Sequence, residues 1–220
     1  MHAARRTKYI VFGLAAVLLL VVAASMLYGV KKKRDLETSA TSSAADATAR
    51  LREAASGKAD AARLAAHARA VAQHIETLRR EDLSQNKALA EAAELYLTDV
   101  HAILRNHAAA ERARVAALAG RRALAGHIGA ADARGAGWIQ QALALKAQAE
   151  RDNFDYRTAM SALATLYFSH RESQDQLRAA APATPLIEEA LRQSLHQQAK
   201  DAELQAEAEI ERIRQMVLPR

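Results

Sequence analysis

The chain has 220 residues, of which 50% are hydrophobic and only 4% aromatic, and it carries a formal charge of +6. It contains no cysteine, which excludes disulfides, thiolate chemistry, cysteine-held iron–sulfur clusters and cysteine zinc sites. The positive charge is local: seven of the 31 basic residues fall at positions 5–34, where no acidic residue occurs, and from Asp35 onward 24 basic residues face 25 acidic ones. A segment with no net positive field does not attract a polyanion, so nucleic acid is set aside as a partner.

Residues 1–8 form a short basic tail with Arg5, Arg6 and Lys8. An uncharged apolar run of 22 residues, Tyr9–Val30, follows. As a helix it covers about 33 Å, enough for a bilayer core of about 30 Å. Tyr9 and Tyr28 stand at its ends, where amphipathic rings favour the headgroup level. The expectation is a signal anchor, a single transmembrane helix over 9–30. A cleaved signal peptide with small residues at Ala23-Ala24-Ser25 is the competing reading. The apolar character continues past that point through Val30, longer than a signal's apolar region needs to be. Lys31, Lys32, Lys33 and Arg34 close the span with basic charge able to meet anionic headgroups. The flanking charges nearly tie. The short basic tail favours an inner-membrane protein with its domain outside the cytoplasm, and the block after the span pulls the other way.

Residues 31–50 read as a basic juxtamembrane block and a polar stalk, because "DLETSATSSAADATAR" is rich in Ser and Thr, which weaken a helix; continuation of the membrane helix is the alternative. An alanine-rich helical domain then covers 51–218. The 55 alanines, three prolines and scarce aromatics favour long helices with closely approaching backbones. Four helices are predicted, at about 51–80, 84–127, 138–180 and 185–217. Leu64, Ala68, Val71, Ile75 and Leu78 form the seam of the first, with Gly57 a weak point before it. Asp82 or Ser84 is the expected cap of the second, whose seam runs Leu89, Ala93, Tyr96, Val100, Ile103 and His107. Four glycines at 126, 129, 135 and 137 mark a loop. The third helix carries a seven-residue stripe from Ala142 to His170. Thr184 and Pro185 look like the N-cap and first residue of the fourth. Short connections make neighbours antiparallel, so the predicted fold is all-α: a transmembrane helix followed by an elongated antiparallel four-helix bundle.

Chemistry is sparse. The bundle di-iron pattern needs Glu-x-x-His, which does not occur, and His-x-x-x-His is also missing, so no metal and no cofactor are expected. No phosphate loop and no Gly-x-Ser-x-Gly element is present, and no catalytic set is recognisable. The densest aromatic stretch, on the third helix, holds Phe154, Tyr156, Arg157, Met160, Tyr167, Phe168 and His170. These residues make either a ligand pocket or the bulk that alanine-rich neighbours lack, and core packing is the more economical reading.

The expected function is a non-catalytic interaction, scaffold or assembly module tied to the lipid bilayer, with a protein partner or homo-oligomer on its helical faces. The order of an apolar helix and then a helical bundle also resembles the front half of bacterial chemoreceptor-type sensors. That resemblance is architectural. It implies ligand sensing, here through a separate partner, because no second apolar run returns the chain to the membrane.

Overall fold

The computed structural model describes residues 2–81, 86–130 and 136–216, without the side chains of residues 2–20 and 136. Five helices follow in order: α1 (His2–Ala55), α2 (Ala61–Arg80), α3 (Lys87–Gly129), α4 (Ala136–Ala180) and α5 (Glu189–Gln215). The fold is all-α, with no strand among the described residues.

Neighbouring helices run antiparallel. Asp46 of α1 meets His74 of α2, and Glu53 meets Arg63. Arg79 of α2 reaches Glu94 at the start of α3. His107 and His127 of α3 pair with Tyr167 and Trp138 of α4, and Ala164 and Glu150 of α4 with His196 and Arg214 of α5. The main core joins α1, α2, α3, the second half of α4 and the start of α5, around Leu51, Val71, Tyr96, Leu104, Leu163, Tyr167 and Ile187. A smaller core at the far end joins Leu124, Ala149 and Ile213. The predicted seams are buried along Leu64, Ala68, Val71, Ile75 and Leu78 on α2 and Leu89, Ala93, Tyr96, Val100 and Ile103 on α3, while His107, the last residue predicted for the second seam, is half-buried.

The segment 31–50 differs from the stalk expected there. It belongs to α1, which continues without a break to Ala55. Leu36, Ala40, Ala44, Ala47, Leu51 and Ala54 form a buried stripe that takes a place in the bundle. The Ser and Thr residues do not oppose this helix, because they bond to its own preceding turns: Thr38 to the Arg34 carbonyl, Thr41 to Glu37 and Thr48 to Ala44. The helix predicted over 51–80 is accordingly two helices. Gly57 turns the chain with φ +68°, a conformation that other residues adopt only at a cost. Asp60 then caps α2 by accepting from the Arg63 amide at 2.8 Å.

Two further boundaries shift. The expected caps Asp82 and Ser84 lie outside the described residues; Asn86 caps α3 by accepting from the Leu89 amide. The last helix begins at Glu189 rather than at Pro185. Leu186 and Ile187 are buried outside any helix, and their carbonyls accept from Arg52 and Gln174, so the segment is held by the core before the helix starts.

Among the described residues no helix is long and apolar enough to cross a membrane. The side chains of Tyr9–Leu20, and of Arg5, Arg6 and Lys8, lie outside the described residues. Val21, Val22, Met26, Leu27, Tyr28 and Val30 are exposed. The predicted transmembrane helix therefore finds no support among the described residues.

Candidate functional site

The aromatic stretch of α4 does not converge on one pocket, because its residues are distributed around the helix. Tyr167 and His170 point into the core and are fully buried. Phe154 and Phe168 face outward, with Phe168 72% exposed. Arg157 lies over the Phe154 ring and pairs with Glu207 of α5, while Phe168 leans on the His196 ring. Tyr156 and Met160 are half-buried and line a small cavity of about 120 Å³ beneath the α1–α2 turn. Gly57, His107, Glu111 and Arg114 line the same space. His107 is the polar residue at its inner wall. Its Nε2 lies 2.5 Å from the Tyr167 hydroxyl, and burial lowers its pKa to about 4, so it is a neutral acceptor at neutral pH. Burial likewise pushes the Tyr167 phenol up and keeps it a donor.

A buried polar column crosses the bundle one to two turns away. Thr48 of α1 meets Tyr96 of α3, whose ring lies 5.0 Å from that of His170. His170 Nδ1 is 3.1 Å from Ser173 Oγ and 3.6 Å from Asp99. Ser173 Oγ donates to Asp99 Oδ2 at 2.5 Å. Burial raises the Asp99 carboxyl, but His170 and Ser173 beside it outweigh this and leave its pKa below the ordinary value. Sequence spacing did not reveal this serine, histidine and aspartate together, because Asp99 comes from another helix. The set is not a nucleophilic triad. There the histidine stands between the other two, whereas here Ser173 gives its proton directly to the carboxylate and His170 is wholly buried. The set ties α3 to α4, and the neighbouring Thr48–Tyr96 bond ties α1 to α3.

A third feature lies on the outside. α2 and α3 flank an open groove of about 820 Å³, lined by six alanines, among them Ala65, Ala72, Ala102 and Ala109. Its polar lining is Arg69, His101, Arg105, Asn106 and Arg112, with no carboxylate. The three arginines are exposed and form no ion pair among the described residues. Burial, and then the charge of Arg105, hold the His101 pKa below its ordinary value. Among the described residues no group of His, Asp and Glu is arranged to hold a metal. Of the cations expected to flank a membrane, Lys32 lies over the Tyr28 ring and Lys33 pairs loosely with Glu37.

No protein-family model, curated protein or solved structure matches the chain.

Proposed function

We propose that the chain is a single-pass membrane-anchored protein whose helical bundle acts as a non-catalytic interaction, scaffold or assembly module. The observation that carries this reading is the continuity of α1. One helix of 54 residues contains the uncharged run Tyr9–Val30, the cations Lys31–Arg34 and the buried stripe Leu36–Ala54. A helix shared between an anchor and a core holds the bundle at a fixed height and angle to the bilayer, where a flexible stalk leaves it free. Most buried polar side chains bond to one another or to backbone carbonyls, as Thr48 does to Tyr96, Asn153 to Ala149 and Gln174 to Ile187, with His170 Nε2 and Thr184 Oγ1 the exceptions, and this suits a rigid spacer better than a reaction centre. The bundle belongs on the extracytoplasmic side of an inner membrane, with lipid headgroups against Arg5, Arg6, Lys8 and Lys31–Arg34.

A reporter active only in the periplasm, and separately one active only in the cytoplasm, fused after Arg220 tests this reading. The expected outcome is periplasmic activity in the membrane fraction, on a chain whose intact mass retains residues 1–30. A soluble chain lacking the first 25 or so residues overturns the anchor. Cytoplasmic activity alone overturns the side.

The small cavity under the Gly57 turn favours a second reading, ligand sensing through a separate partner. It joins α1 to α3 and α4, so a compound seated there touches the helix that reaches the membrane. Saturable thermal stabilisation by a small molecule, abolished by filling the space with Ala110→Leu, supports that reading.

A further inference from the structure

The groove between α2 and α3 is cationic on a domain that is otherwise electrically balanced. From Asp35 onward acidic residues slightly outnumber basic ones, yet Arg69, His101, Arg105 and Arg112 gather along this groove with no carboxylate among its lining residues. Elsewhere on the surface arginines find partners: Arg63 with Glu53, Arg79 with Glu94, Arg157 with Glu207 and Arg214 with Glu150. Arg112 also lines the adjoining hollow with Asp152 and Asp155 but forms no ion pair with either, and arginines without a paired counterion side by side repel one another, a cost that an incoming anionic group removes.

The geometry selects the anion. His101, Arg105 and Arg112 are spread over eleven residues of α3, about 16 Å, which is too far for one phosphate to bridge. They sit at helical spacing beside a floor of alanine, and small residues let a third helix approach closely. Position argues against the headgroups of the anchoring membrane. Thr48 and Tyr96 set α1 and α3 level, so His101 stands roughly 28 Å beyond Arg34 along the bundle. We propose that this groove docks an acidic amphipathic helix of a partner protein, with carboxylates two turns apart, at i and i+7, facing Arg105 and Arg112, a further carboxylate one turn from the first facing Arg69, which lies level with Arg105, and small or apolar residues on the alanine floor. The proposal rests on the scaffold reading above and names the surface that reading requires.

The test uses the full chain in detergent micelles and, as probe, an alanine-based helical peptide with glutamate at i, i+4, i+7 and i+11 of one face. Fluorescence anisotropy is expected to show saturable binding that weakens as salt is raised. Binding should fall at least about tenfold when the glutamates become glutamines, and again in the R105E/R112E variant. Both arginines are exposed, and an unchanged circular-dichroism melt shows that the variant is folded. Absence of peptide binding, or binding indifferent to R105E/R112E, overturns the proposal. So does tighter binding of a short DNA duplex than of the peptide. Concentration-dependent self-association that R105E/R112E abolishes, without peptide binding, makes a second copy the occupant and also overturns it. A photo-cross-linker at Ala109 in the groove and another at Leu204 on the outer face of α5 separate the two levels. Protein adducts from Leu204 alone leave the scaffold reading standing and remove the groove; adducts from neither remove both.

Discussion

The Tyr96 hydroxyl lies 2.6 Å from Thr48 Oγ1, and both side chains are fully buried. Thr48 gives its own proton to the Ala44 carbonyl, so it accepts from Tyr96. This bond is a polar tie across the core from α1 to α3. Its two partners are unequal. Thr48→Val leaves a buried phenol without an acceptor and is expected to cost about 1–3 kcal/mol. Tyr96→Phe leaves Thr48 still donating to Ala44 and should cost about 1 kcal/mol. The double variant should be more stable than the sum of the two costs implies, as urea unfolding of all four proteins would show.

Two glycines of α3 should respond oppositely to alanine. A Cβ at Gly120 meets the Ala149 backbone of α4 at 3.3 Å and the Asp152 carboxylate at 2.8 Å. A Cβ at Gly126 meets nothing within 4 Å. Gly126→Ala gains helix propensity and is expected to stabilise by up to about 1 kcal/mol. Gly120→Ala gains the same propensity but forces α3 and α4 apart, and overpacking of this kind costs about 1–3 kcal/mol. The net expected is a loss of about 1 kcal/mol, read from thermal melts. A gain at both sites would mean that the α3–α4 contact is looser than the geometry shows.

The seams of α2 and α3 were legible in the sequence because burial there follows heptad spacing without interruption. The packing of residues 36–54 was not. Their apolar stripe is nearly all alanine, and the Ser and Thr between them read as helix-weakening until their bonds to the preceding turn are seen. The start of α5 was misplaced for a related reason. Thr184-Pro185 is a good local start signal, but burying Leu186 and Ile187 in non-helical backbone overrides it. Polar contacts between distant residues were invisible. Glu188 and Arg192 have helical spacing, yet Arg192 turns to Glu189, and nothing in the spacing links Asp99 with Ser173 or His101 with Arg69.

Arg192 is a buried cation held by a fork. Its Nε and Nη2 donate to the two oxygens of Glu189 at 3.0 and 2.6 Å, and its Nη1 donates to the Tyr167 carbonyl. That fork lowers the Glu189 pKa to about 2. Removing the carboxylate leaves a guanidinium in the core without a counterion, whereas removing the guanidinium leaves a half-exposed carboxylate that water can serve. Glu189→Gln is therefore expected to destabilise more than Arg192→Met does. The first should cost about 2 kcal/mol, below the usual figure for a buried pair because Glu189 is half-exposed, and the second about 1 kcal/mol or less. The reverse order in chemical denaturation would show that the methylene packing of Arg192 outweighs its charge.

His107 should make the fold sensitive to mild acid. Burial holds its pKa near 4, against the ordinary 6.5 of an unfolded chain. Above pH 6.5 the ring is neutral in both states and contributes no difference. Between pH 6.5 and 4 the unfolded chain takes a proton that the folded chain refuses, so stability falls as pH falls, by about 3 kcal/mol at most. Below pH 4 the folded protein also protonates, which opposes the bond from the Tyr167 hydroxyl to Nε2. Asp46, Asp99 and Glu189 have pKa values below their ordinary ones, so their stabilisation is lost only as pH falls through and below the usual carboxylate range. In the window from 6.5 to 4, His101, whose pKa also lies below its ordinary value, acts in the same direction as the more deeply buried His107. His107→Gln keeps an acceptor for Tyr167 and cannot titrate. Its stability is expected to decline less steeply with falling pH across that window than that of the parent chain, with the remaining slope due in part to His101. Equal slopes for the two proteins would mean that His107 reaches water and that the cavity beneath the Gly57 turn is open to solvent.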